Sequence, residues 1–335
     1  MQFACLSEYF LREGEHKVLK YIGKRTLQAI PMLLAVSIII FALLQAMPGD
    51  PLDMYLENPN ATPEAIERIK EAHGLDDPIH IQYLHWLKGI VTGDWGISIM
   101  SRRSVLSLIS ERVVPTLQLT GTSFLIALLV AVPMGVYCAI NKGKAFDNIA
   151  TPLTFFGISM PSFWFGLILQ LIFAVGLGWL PSAGRTSITG ANAGSALDIA
   201  RHLILPSIVL SLIYFASWTR YTRTNFLEVL GQDFIRTARA KGLHERKVLF
   251  VHALRNALIP MVTVIMLDIP VIFSGAVITE RVFAWPGMGT LFYDSIAKQD
   301  YPILMGILMV NAFLVIFANL LADILYAVLD PRIKY

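Results

Sequence analysis

Six apolar runs separated by polar stretches set the pattern of this chain. Leu27–Met47 carries no charge and, as a helix, rises roughly 32 Å at ~1.5 Å per residue, enough to cross a bilayer. Further runs predict spans over about Thr116–Ile140, Ile149–Val175, Leu203–Trp218, Leu258–Ile278 and Ile303–Leu329. The basic flank and apolar run at the start also fit a cleaved signal peptide. That run is longer than a signal core, however, and MPGDP after it offers no small-residue cleavage site, so the first span is read as retained. Pro133, Gly135, Pro152 and Pro161 inside spans fit bent or closely packed membrane helices, although Gly and Pro are common in such helices anyway.

Pro48–Val114 breaks the pattern with a polar, turn-rich insertion of some sixty residues. Thr62 can cap a short helix, with Pro63 at its first position and a stop at Gly74. A second helix is expected over Ile79–Ile90, where Ile81, Leu84 and Leu87 recur at helical spacing. The insertion is too short for a large core of its own and is expected to lean on the membrane part.

The most basic stretch is Gln232–Pro260, QDFIRTARAKGLHERKVLFVHALRNALIP, trapped between the fourth and fifth runs and therefore an aqueous loop. Basic residues at the N-terminus (Arg12, Lys17, Lys20, Lys24, Arg25), Lys142, Lys144, Arg220, Arg223, this loop, Arg332 and Lys334 fall on one side of a six-span topology. The opposite side holds Arg185, Arg201, Arg281 and Lys298 in its short loops, so both termini and the basic loop are expected in the cytoplasm. Within the loop, Asp233 can cap a helix starting near Phe234, Gly242 can end it, and Glu245 can restart helix toward the fifth span. Ala238 and Ala240 are small enough to let a partner approach closely, and the arginines beside them can pair with acidic groups. A loop resting on anionic lipid headgroups is the other reading of the same charge.

Composition agrees with the pattern. The 335 residues are 55% hydrophobic and only 15% charged, against about a quarter charged for a soluble domain, and the net charge of +3 decides little. The two cysteines, Cys5 and Cys138, make no framework. No G-x-x-x-x-G-K-[ST] occurs, so ATP is not expected to bind this chain through a P-loop, and PGMGT lacks the lysine. The seven histidines are scattered; His73, His80 and His85 lack a metal-binding spacing. No hydrolase triad pattern appears, and an enzyme reading has no residue to rest on.

ARAKG followed by HALRNALIP resembles the cytoplasmic coupling-loop signature (the "EAA" motif) of ABC-type importer permeases, in its dipeptide/oligopeptide/nickel form. Arg236–Ala238 matches the EAA position, with three residues between it and Gly242; the general motif's Leu-Pro would fall on Leu254 and Arg255, and Pro260 comes five residues later, as is usual for the peptide branch. MPGDP, GLDDPIHIQYLHWLKGIVTGDWGIS, SMPSFWFGL, GWLPSAGR, FAWPGMGTLFYDSIAKQDYP and LLADILYAVLDPRIKY resemble that branch too, covering the chain from about Leu19 onward.

The resemblance implies an all-α polytopic membrane protein of about six helices, with a small extracytoplasmic helical insertion between spans one and two. Its parts would be a cytoplasmic segment 1–25, a first helix 26–47, the insertion 48–114, a permease core 115–330 containing the coupling loop 220–257, and a tail 331–335. It implies partners: a second homologous permease subunit, two cytoplasmic ATP-binding subunits that bind ATP and Mg, an extracytoplasmic substrate-binding protein and membrane lipid, with no nucleic acid. This chain would hold no cofactor and do no chemistry; it would carry dipeptides or oligopeptides, the alternatives being nickel or another small solute. The coupling loop would be Arg236, Thr237, Ala238, Arg239, Ala240, Lys241, Gly242 and Leu243.

Two features depart from the family pattern. Residues before about Lys20 look like an extension and receive no role, and Asp268-Ile269-Pro270 puts a carboxylate in the fifth span. An acid at membrane depth is a candidate functional group, so Asp268, with Asn311 and Gln170, is a candidate for the translocation path; Asn311, Asn319 and Gln170 can also bond between helices. Asp323 is expected to be structural near the inner interface. A stand-alone secondary transporter would need inverted repeats or intramembrane charge pairs, which are not evident.

Overall fold

The computed structural model of the chain describes residues 2–46, 77–273 and 276–329, with side chains from residue 23 to 323 apart from 155, 156, 158 and 273. The expected helix from Thr62 and Met47 at the end of the first span lie outside the described residues. Helix α1 (Gln2–Gln45) is followed by α2 (Ile79–Thr92), α3 (Val105–Ile140), α4 (Ala145–Ser159), and α5 (Ser162–Leu169), which continues as a π-helical turn over Gln170–Gly176. Then come α6 (Ala196–Leu230), α7 (Asp233–Ala240), α8 (Glu245–Lys247) with a π-helical stretch Val248–Ala253, α9 (Leu254–Phe273), α10 (Val277–Val282), α11 (Met288–Ala297) and α12 (Tyr301–Leu329). The all-helical fold expected from the sequence is present. Among the described residues the only strand-like pairing is one isolated bridge, Ile97 with Ser104.

Among the described residues, five helical segments are long and apolar enough to cross a membrane: Gly23–Gln45, Val105–Ile140, Ala196–Leu230, Glu245–Ile272 and Tyr301–Asp323. The remaining run, Ile149–Val175, is not one helix. It breaks between α4 and α5 at Met160, which is extended (φ −78, ψ 129). Pro161 explains the break, because its ring excludes the preceding residue from the helical region and it has no N–H to give. The first helix is longer than its apolar run: nothing between residues 2 and 30 stops it, and it continues through the basic segment without a joint.

The chain divides into two compact units, one from 1–113 with 291–335 and the other Val114–Thr290. In the first, α1 packs along α12, and Arg25 meets Asp323 at 3.3 Å. The expected second helix of the insertion is present as α2, held to α1 by Phe41, Tyr83 and Trp86 with ring centroids 5.5–6.1 Å apart and by a Ser37–Tyr83 hydroxyl bond of 2.9 Å. Buried Asp300 accepts from Ser98 Oγ at 2.6 Å and from the amides of Ile99 and Met100, tying the loop after α2 to the start of α12.

In the second unit α3, α6 and α9 enclose Ala127, Ala131, Tyr214, Trp218 and Met261. Small residues set the α3–α6 distance. A Cβ on Gly135 would lie 2.6 Å from Thr222 Cβ and 2.7 Å from the Thr219 carbonyl, so only glycine permits this approach.

Candidate functional site

The short helix α7 lies on a floor built by three other elements. Ile235 and Ala238, one turn apart, enter an apolar cluster with Val136 and Ala139 of α3, Phe226 and Val229 of α6, and Val248, Ala253 and Ala257 of the chain leading into α9. This corrects one expectation: Ala238 is only 8% exposed and serves the chain's own packing, so it is not available to a partner. The outward residues are Phe234, Arg236, Thr237, Arg239, Ala240 and Lys241. Phe234, 39% exposed, places an apolar side chain at the edge of this basic face.

The end of α7 follows from Gly242. Its φ of +75 is left-handed, and the Leu243 and Gly242 amides donate back to the carbonyls of Ala238 and Arg239 at 3.3 and 2.9 Å, the paired bonds of a Schellman stop. Leu243 then turns inward onto the same cluster. Asp233 is not the cap: Gln232 holds that position without a side-chain bond, while Asp233 sits in the first turn, 3.5 Å from Arg236, and its carbonyl accepts from Thr237 Oγ1. Arg239 is likewise not left for an outside acid, because it grips Glu245 through Nε at 3.2 Å and Nη2 at 2.7 Å across the turn. Helix restarts at Glu245 as expected, capped by His244 Nδ1, which accepts from the Arg246 amide.

The candidates inside the spans each have surroundings of their own. Asp268 accepts from Trp218 Nε1 at 2.8 Å, so its carboxylate ties α9 to α6. Gln170 donates through Nε2 to the carbonyls of Ser182 at 2.7 Å and Val282 at 3.0 Å, fastening the start of the π-helical turn to the loop after it and to the end of α10. Asn311 Oδ1 is buried without a partner among the described residues, and Asn319 is exposed. Within the second unit, Asp268 and Gln170 bond to different partners. No group of three or more His, Cys, Asp or Glu converges in metal-binding fashion among the described residues.

Two groups escaped the sequence reading. Asp147, 3% exposed at the start of α4, takes a bidentate grip from Arg223 of α6, Nε to Oδ1 at 2.7 Å and Nη2 to Oδ2 at 2.8 Å, and also accepts from the Gly143 amide at 2.9 Å. The Arg223 guanidinium leads in holding the Asp147 carboxyl at about 2, below the usual carboxylate range. A depressed folded value means this stabilisation is complete above the unfolded value of ~3.9 and is lost as pH falls through about 2. Detergent-solubilised protein is expected to lose thermal stability below about pH 4, and Asp147→Asn to flatten that acid limb, as read by melting curves across pH.

Glu280 is the second. It is completely buried in α10, accepts from Thr116 Oγ1 at 2.9 Å and from the Thr290 amide at 2.8 Å, and so caps the start of α11 from outside that helix. Thr116 in turn accepts from the Met288 amide at 2.7 Å, and Trp285 Nε1 donates to the Pro115 carbonyl at 2.8 Å. A Cβ on Gly287 would overlap the Glu280 carboxylate at 2.2 Å, and one on Gly289 would sit 2.8 Å from Val277 Cα. Burial pushes the Glu280 carboxyl up against the pull of these donors. The glycines of PGMGT are thus there to admit a carboxylate of the same chain; that single glutamate beside paired glycines was the available signal.

Comparison with known proteins bears on the whole arrangement. The family described as "Binding-protein-dependent transport system inner membrane component" matches residues 131–335, and its N-terminal companion matches residues 18–120. The oligopeptide transport system permease protein AppB of Bacillus subtilis (strain 168) is 45% identical, over 94% of this chain and 99% of that protein. The dipeptide transport system permease protein DppB of Escherichia coli (strain K12) is 38% identical over 95% and 99%, and the glutathione transport system permease protein GsiC of Salmonella choleraesuis (strain SC-B67) is 38% identical over 95% and 100%. Among solved structures, an inward-facing MetNI methionine ABC transporter chain aligns at a TM-score of 0.51 and 16% identity, over 67% of this chain and 97% of that one. That likeness speaks for the fold.

Proposed function

Since the chain belongs to the family of binding-protein-dependent transport system inner membrane components, we propose that it forms half of the translocation path of an ATP-driven peptide importer. The observation that carries the peptide reading is near full-length identity of 38–45% to permeases named for oligopeptides, dipeptides and glutathione. Nickel has no comparable support among these relatives.

In this reading a homologous permease completes the path, and two cytoplasmic subunits bind and hydrolyse ATP. A soluble binding protein delivers peptide from outside, and both termini and α7 face the cytoplasm. Nucleotide-driven closure of the ATP-binding subunits moves α7, and the spans alternate between inward- and outward-facing arrangements. The geometry supports the mechanical part. Ile235 and Ala238 key α7 to the ends of α3, α6 and α9, so α7 cannot shift without carrying them. Close packing makes such a contact transmit displacement instead of absorbing it.

Gly242→Arg separates docking from folding. A Cβ at Gly242 meets nothing within 4 Å, so the folded chain loses only the cost of a left-handed non-glycine residue, about 1–2 kcal/mol. Purified from membranes with its partners, the unaltered chain is expected to bring ATP-hydrolysing subunits and to support ATP-dependent uptake of labelled dipeptide in proteoliposomes. The variant should insert normally and lose the uptake. A chain that transports alone, with no ATP-hydrolysing subunit attached, would refute the reading.

A further inference from the structure

Four helical segments reach the end of the second unit where α7 sits, and they are attached to it in different ways. The ends of α3, α6 and the chain entering α9 meet α7 through the apolar cluster around Ile235 and Ala238. Helix α4 has no buried member in that cluster. It packs along α6 and touches α3 through an edge-on contact between Phe146 and Tyr137, ring centroids 4.7 Å apart. Its directional attachment is the bidentate pair between Asp147 and Arg223, with the remaining capacity of the carboxylate taken up by the Gly143 amide and by Thr151 Oγ1 at 3.3 Å.

Arg223 is two turns from the C-terminal end of α6, which continues through Gly231 and Gln232 directly into α7. A planar guanidinium–carboxylate fork fixes both the distance and the register of the two helices it joins. Helix α4 is also the half-helix that ends at the Met160–Pro161 break, and the far side of that break is fastened by Gln170 to the Ser182 and Val282 carbonyls.

We propose that Asp147 and Arg223 are positioning residues for transport: their pair carries the movement of the coupling loop, through α6, into the broken third helix. The inference rests on the ATP-driven reading above. Neither residue contacts nucleotide or peptide in this account; both act through the helices they join. Loss of the link leaves α7 docked and the ATP-binding subunits able to cycle, while α4 loses its fixed register on α6.

The test is labelled-dipeptide uptake per ATP hydrolysed, measured on the complete complex in proteoliposomes. Arg223→Ala should reduce that ratio about tenfold, the size of an ordinary coupling free energy, while hydrolysis stays within about twofold of the unaltered complex. Arg223→Lys retains the charge without the fork and should fall between the two, which keeps the test decisive if the alanine variant fails to assemble. A purely architectural pair would lower complex yield, hydrolysis and uptake together, leaving the ratio unchanged, and that result overturns the proposal. An unaltered complex that hydrolyses ATP without importing peptide would instead overturn the functional reading itself.

Discussion

Glu280→Ala is expected to be among the most damaging single changes outside α7. The alanine removes a fully buried carboxylate and orphans the Thr116 hydroxyl and the Thr290 amide at the start of α11. Each stranded buried donor costs about 1–3 kcal/mol, and the vacated volume adds to this, for a total of about 3–5 kcal/mol. Thr116 also holds the Met288 amide, so the damage should spread along the Phe283–Thr290 connection. Glu280→Gln keeps the shape and one acceptor oxygen but turns an NH2 group toward donors, so it should fall between alanine and the unaltered chain. Denaturant titration in detergent checks the order; an alanine variant as stable as the unaltered chain would contradict the cap.

The second large effect is a contrast within α7. Ala238→Glu puts a carboxylate among Ile235, Phe226, Val248 and Ala253, where an unpaired charge costs several kcal/mol. It is expected to detach α7 from its floor, abolish uptake and lower the stability of the second unit, so it does not isolate docking. Ala240 lies on the exposed face two residues on. Ala240→Trp should leave melting nearly unchanged, within about 0.5 kcal/mol as for other surface substitutions, and still block uptake by obstructing the docking face. Melting and uptake measured on both variants separate the roles: Ala238→Glu should lose both, Ala240→Trp only the second.

Much of the architecture was legible because bilayer physics writes it plainly into the chain: long uncharged runs, basic loops, and a glycine where a short helix stops. What escaped has identifiable causes. The third run reads as continuous in hydropathy, but the constraint of Pro161 on Met160 divides it, and apolarity carries no information about that. The buried stripe entering α9 runs Val248, Ala253, Ala257, Met261, with one five-residue step before two four-residue steps. The π-helical stretch Val248–Ala253 absorbs the extra residue and keeps one face inward, which ordinary helical periodicity does not suggest.

Polar partners separated widely in sequence were the least legible. Arg223 reads as one more inside charge until Asp147 is found 76 residues earlier, and Glu280 lies 164 residues from Thr116. Asp268 was visible as an acid in a span, but its partner Trp218 reads as an apolar core residue because only its indole N–H makes it a donor. Arg239 reads from local charge as free to meet a partner's acid, whereas the Gly242 turn brings it to Glu245.

The exposed face of α7 is expected to dock on an ATP-hydrolysing subunit in the cytoplasm. A photo-crosslinking side chain placed at Ala240 and activated in intact membranes tests this most directly, with Ile188 on the α5–α6 connection as the comparison site. The Ala240 probe is expected to capture the ATP-hydrolysing subunit, with the adduct changing in yield when nucleotide is trapped, and the Ile188 probe to capture none of that subunit. An Ala240 probe that reacts only with lipid, or that is quenched by an impermeant reagent added outside intact cells, would contradict it.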